Sequence, residues 1–109
     1  MDFEEYQKKT KKTAVYPNQG NNYVYPTLGL TGESGEVADK IKKVIRDKNG
    51  IVDENTKIEI EKELGDVLWY LSQLATELEL SLDQIAEKNI IKLLSRLERN
   101  TIRGDGDNR

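Results

Sequence analysis

Residues 59–78 read EIEKELGDVLWYLSQLATEL, and the spacing within them decides the fold. Ile60, Leu64, Val67, Leu68, Leu71, Leu74, Ala75 and Leu78 recur every three or four positions, the period of one helical face. Asp53 or Asn55 caps this helix, which the pattern carries to about Leu80. Upstream, Leu30, Val37, Ile41, Val44 and Ile45 mark another helix. It is expected to start near Pro26 or Thr27, since proline suits a first turn, and to run to about Asp47. Lys48-Asn49-Gly50 ends it, because Asn and Gly accept left-handed backbone cheaply. Ser81, with Gln84 at the capping-box position, opens a last helix with a stripe of Ile85, Ala86, Ile90, Leu93, Leu94 and Leu97. Asp2 caps a first helix reaching about Val15. Tyr16–Asn22 reads as a loop, and Tyr23–Tyr25, with no strand to pair with, as extended loop. The end, from Arg103, is too Gly-rich and polar for a helix. The expectation is one all-α domain over residues 1–109, a four-helix bundle.

Composition narrows the chemistry. The chain has 109 residues, 36% hydrophobic and 34% charged, so its core is thin and oligomerisation is expected to supplement it. It has no cysteine and no histidine, which removes disulfides, thiolate metal sites, the commonest general base and the Ser-His-Asp triad. Any chemistry runs on carboxylates, Lys, Arg, Tyr, Ser or Thr. A net charge of −3 gives no push toward nucleic acid, and no apolar run is long enough to span a membrane. The acidic opening lacks a signal-peptide core, so a soluble cytoplasmic protein is expected.

Two acid pairs stand out. Glu33 and Glu36 lie three apart on the second helix, Glu63 and Asp66 three apart on the third, so each pair shares a face. Glu36 has Lys40 four residues on, but Glu33 and Glu63 have no base one turn away within their own helices. A solvated face is one reading. The other is a carboxylate cage, with four oxygen donors from two adjacent helices around a hard cation such as Mg²⁺ or Mn²⁺. Gly32, Gly35 and Gly65 beside the acids suggest close approach of a helix or a ligand.

The last helix carries Lys88, Lys92, Arg96 and Arg99 along one side, with Arg103 beyond, and no acid three or four positions from any of the four. Such a stripe is either solvated and bridged to other helices, or it awaits an anion such as a polyphosphate. Trp69 and Gln73 lie opposite the leucine stripe, so that face is expected to meet another subunit or a substrate base. Tyr70, one turn beyond Asp66, is placed to touch a ligand.

These residues together resemble the all-α nucleoside triphosphate pyrophosphohydrolases, the small MazG-like and dCTP pyrophosphatase-like proteins. That family's E-E-x-x-E and E-x-x-D segments are matched by GESGEV and ELGDVLWYL, and KNIIKLLSR resembles its Lys/Asn/Arg segment. The likeness spans about Leu28 to Arg103, with one departure: Gly32 stands where the family has the first Glu. The resemblance implies Mg²⁺-dependent hydrolysis of a (deoxy)nucleoside triphosphate to monophosphate and pyrophosphate in a homodimer or homotetramer. It implies metal ligation by Glu33, Glu36, Glu63 and Asp66, with Glu33 or Glu36 activating water. Tyr70 and Asn89 would lie near the nucleotide, and Lys88, Lys92 and Arg96 would meet phosphate. The competing readings are a non-catalytic oligomeric helical module and a nucleotide sensor.

Overall fold

The computed structural model describes all residues, Met1–Arg109, and is entirely helical. α1 spans Phe3–Thr10, α2 Val24–Asp47, α3 Glu54–Glu77 and α4 Leu82–Glu98. Three of the starts follow the expected caps: Asp2, Asp53 and Ser81 each accept a hydrogen bond from the backbone N–H three residues on. α1 stops sooner than expected, tightening into a 3-10 turn over Lys11–Thr13. α2 starts earlier than its proline suggested. The Asn22 carboxamide accepts from the Tyr25 N–H at 3.0 Å, so Val24 and Tyr25 are drawn into the first turn instead of an extended loop. Pro26 still sits where its missing N–H costs nothing. Asn49 (φ 53°) and Gly50 (φ 76°) end α2 as anticipated, with the Gly50 N–H donating back to Val44.

α2 and α3 form an antiparallel hairpin, the main packing unit of the chain. Facing pairs descend in register: Gly29 against Tyr70, Lys40 against Glu59, Lys48 against Thr56. α1 lies on α3 through a largely polar seam. Gln7 donates to Thr76 Oγ1 at 3.1 Å and to the Leu80 carbonyl at 2.9 Å, accepts from the Leu82 N–H at 2.8 Å, and Thr10 meets Ser72 at 3.1 Å. α4 rests on α1 and scarcely touches α2 or α3.

The expected stripes and the buried residues do not coincide. Ala14, Tyr16, Val44, Ala75 and Leu82 make the apolar core, while Ile45, Leu64, Ile90, Ile91, Leu94 and Leu97 are each more than half exposed. The face of α3 expected to look outward is instead covered by the chain itself. Gln73 is fully buried, and Trp69 donates its indole N–H to Thr13 Oγ1 at 2.8 Å and packs edge-on to Tyr16 and Tyr70. The segment before α2 thus takes the place given to a second subunit or a base.

Glu77 anchors that segment. It accepts from the Tyr16 hydroxyl, from the Gly20 N–H at 2.8 Å and from the Asn22 N–H at 3.0 Å. Burial pushes its carboxyl up, but these donors outweigh burial and hold it below its ordinary range. A depressed folded pKa contributes stability above the unfolded value, near 4.5, that is lost as pH falls through the folded one. Glu77→Gln is expected to cost about 2 kcal/mol at neutral pH. The gap in urea midpoint between variant and wild type should close below about pH 4.5.

Candidate metal and nucleotide site

Glu63 and Asp66 lie one turn apart on α3, and the hairpin register brings Glu33 of α2 across to them. One carboxylate oxygen from each lies within 4.8 Å of the other two. Glu33 and Glu63 are half-buried and Asp66 is exposed. An octahedral Mg²⁺ with bonds of 2.0–2.1 Å separates its ligand oxygens by about 3 to 4.2 Å. The three carboxylates need small side-chain adjustments to reach that spacing, and their hard oxygen donors suit such an ion. The Glu33 carboxyl is raised above its ordinary range by burial first, then by the charge of Asp66, by a hydrogen bond to Glu63 that needs one of the two to be protonated and by its charge, and by Glu36.

Glu36 is exposed and stands outside the group of three, one turn along α2. Its expected partner has gone elsewhere: Lys40 reaches across the hairpin to Glu59 at 3.6 Å and Glu63 at 3.8 Å. Glu36 is left without an ion pair, and Glu63 gains one that its own helix could not supply.

The glycines behave differently from expectation. A Cβ at Gly32, Gly35 or Gly65 would meet nothing within 4 Å, so no helix of the chain approaches them closely. The close approach is at Gly29, where a Cβ would collide with the Tyr70 ring. Tyr70 is thereby pressed onto α2 beside the acids. Its hydroxyl is raised by burial, then by Tyr25 and by the charges of Glu33 and Asp66. Tyr25 stacks on Tyr16 with centroids 4.9 Å apart, and with Trp69 and Tyr70 they line an aromatic recess of about 230 Å³.

Tyr6 was not anticipated as a neighbour of the site. Its hydroxyl is raised by burial and then by Asp66, which places α1 beside the cluster. With Met1, Phe3 and Leu68 it lines an apolar recess of about 360 Å³. No spacing within one helix signals this, since it depends on how α1 lies on α3.

Lys88, Asn89, Lys92 and Arg96 all lie on α4, away from the acids of the same chain. Lys88 and Asn89 are exposed, Lys92 is half-exposed and Arg96 is buried. One chain thus assembles the carboxylates and Tyr70 but does not bring the basic stripe to them.

Residues 25–100 match the MazG nucleotide pyrophosphohydrolase domain. The chain belongs to the MazG family. The activity of that family is nucleotide pyrophosphohydrolysis, a hydrolase reaction that generally uses a divalent metal, and the carboxylate group of this chain is chemically able to hold one. This MazG chain is also similar to the Gene 37 protein of Mycobacterium phage L5, at 42% identity over 114 aligned residues that cover all of both chains. No solved structure matches it. No helix is long and apolar enough to cross a membrane.

Proposed function

We propose that this chain is one MazG domain over residues 1–109 that hydrolyses a nucleoside triphosphate, a deoxynucleotide or a modified one, to monophosphate and pyrophosphate. The observation that carries the reading is the convergence of Glu33, Glu63 and Asp66 within 4.8 Å, with Glu33 left free of any basic partner. These three would hold Mg²⁺ or Mn²⁺, with Glu36, one turn along α2, as the fourth carboxylate. Bound there, the ion supplies charge stabilisation on the phosphate oxygens and the leaving pyrophosphate. Glu33 or Glu36 orients the attacking water and takes its proton, a role a carboxylate can fill without histidine. Tyr70 and Tyr25 offer ring faces to the base.

The phosphate-binding residues Lys88, Asn89, Lys92 and Arg96 come from a second copy in a homodimer or homotetramer. The surface of the chain supports this. A folded monomer of 12.5 kDa exposes about 6,200 Å², whereas this chain exposes 8090 Å². The excess is more than the ~800 Å² each partner buries in a standard interface. The radius of gyration, 16.8 Å, exceeds the ~13 Å of a compact domain of this length. The open leucine and isoleucine stripes of α3 and α4 are the surfaces that a second copy would cover.

The test is turnover with Mg²⁺ on a panel of ordinary and modified triphosphates, assaying pyrophosphate and free phosphate separately. Pyrophosphate release that is lost in EDTA and in Glu63→Gln, with helicity intact, is the expected result. Free phosphate without pyrophosphate means that a different bond is cut. Nucleotide binding without turnover supports a sensor, and the absence of both metal binding and turnover leaves a helical interaction module.

A further inference from the structure

Outside the acid cluster, the strongest concentration of charge is on α4 and the segment after it. Lys88, Lys92, Arg96, Arg99 and Arg109 line an open pocket of about 420 Å³ whose one acidic side chain is Asp107. That acid comes from the Gly-rich stretch beyond the helix, not from a neighbouring helix. Its Oδ1 accepts from Lys92 Nζ at 2.9 Å and from Arg96 Nη2 at 3.1 Å, and its main-chain carbonyl accepts from the same Nη2 at 2.8 Å. The segment is folded to deliver it. Gly106 turns the chain at φ 78°, and the Arg109 guanidinium donates back to the carbonyls of Thr101, Ile102 and Gly106.

The two partners differ in depth. The Arg96 side chain is only 4% exposed and its Nε is buried without an acceptor, whereas the Asp107 side chain is 81% exposed. A fixed, incompletely satisfied guanidinium at the floor of the pocket therefore meets a carboxylate that reaches in from solvent. Lys88 and Arg99 keep their charges unpaired at the rim. The Lys92–Asp107 pair is exposed on both sides, weak and screened by salt, and the Arg96 pair is open to solvent on its Asp107 side. A ligand carrying one charge competes with Asp107 poorly, and one carrying several charges displaces it.

We propose that Asp107 is an internal competing ligand: it occupies the oxyanion position on Lys92 and Arg96 that a substrate phosphate takes, and a polyphosphate must displace it to bind. The proposal rests on the reading of α4 as the phosphate-binding helix. Its consequence is uniform: any anion that uses Lys92 and Arg96 must displace the same carboxylate, so the pin lowers the apparent affinity of orthophosphate and tripolyphosphate by the same factor.

The test is calorimetric binding of inorganic tripolyphosphate and orthophosphate to the full chain in EDTA at low salt, for wild type, Asp107→Ala, Asp107→Asn and Lys92→Ala. Both Asp107 variants are expected to bind tripolyphosphate and orthophosphate alike about fivefold more tightly, the scale of one exposed ion pair. Asp107→Asn keeps the side-chain shape and the main-chain bond, so a gain there is not a folding effect. Unchanged affinity in both Asp107 variants, with weaker binding in Lys92→Ala, overturns the pin and leaves the phosphate helix standing. A lowered melting temperature without any gain in affinity also overturns it, because Asp107 is then structural only. Failure of every form to bind tripolyphosphate removes the pin together with the reading of α4.

Discussion

Glu33→Gln is expected to lower pyrophosphate release about 100-fold or more, the upper scale for partners of a metal site, while raising the melting temperature of the metal-free protein. The two effects have one source. Glu33 is the member of the cluster that burial and three neighbouring acids push upward, and no cation relieves it. Its folded pKa lies above its unfolded value of about 4.5, so the folded chain holds the proton more tightly. Stability contributed by this group is present below 4.5 and lost as pH rises through the raised folded value. The loss grows with pH and is complete once the carboxyl is ionised in the folded chain. Glutamine removes the charge and with it the loss, so the variant should melt higher at pH 7 and lack the downward slope through the acidic range. Mg²⁺ binds the folded state and should raise the melting temperature of wild type by mass action, but not that of the variant. Thermal scans at pH 5 and 7, with and without Mg²⁺, check all three statements. A variant that melts lower than wild type without metal and keeps the full Mg²⁺ response would show that Glu33 is an ordinary surface acid.

Gly29→Val is expected to destabilise the chain by about 2–3 kcal/mol and to reduce kcat/KM. A Cβ at this position collides with the Tyr70 ring, which cannot swing aside freely. Trp69 packs edge-on against it at a centroid distance of 5.1 Å, and Tyr25 lies at 6.4 Å on another side. Overpacking here pushes the ring away from Glu33 and Asp66. Urea denaturation reads the stability, and Trp69 fluorescence reads the displaced ring. Gly32→Ala is the control on the same helix: its Cβ meets nothing within 4 Å, so the gain in helix propensity, up to about 1 kcal/mol, should appear as higher stability.

What the sequence conveyed and what it withheld divide by range. The helical class, three of the four caps and the Asn49-Gly50 stop are local, and local spacing carried them. The acids were legible as two pairs, because three-residue spacing puts carboxylates on one face; the hairpin then gathers three of the four and leaves Glu36 outside. Lys40 was misassigned to Glu36, because the rule for neighbours on one helix is silent about a partner on the next. Trp69 looked exposed for the same reason. Its cover comes from Thr13 and Tyr16, more than fifty residues away in sequence and held in place by Glu77. The acid of the basic stripe is invisible to helical spacing, since Asp107 lies beyond the end of α4.

Gln7 joins three elements with one carboxamide: Thr76 of α3, the Leu80 carbonyl and the first N–H of α4. The helices of a single chain are therefore linked in series, α4 to α1 to α3 to α2, and not around a common centre. Protection against amide exchange should follow that order. The α2–α3 hairpin should open last, and α4 should never outlast α1, because releasing α1 removes the main support on which α4 rests.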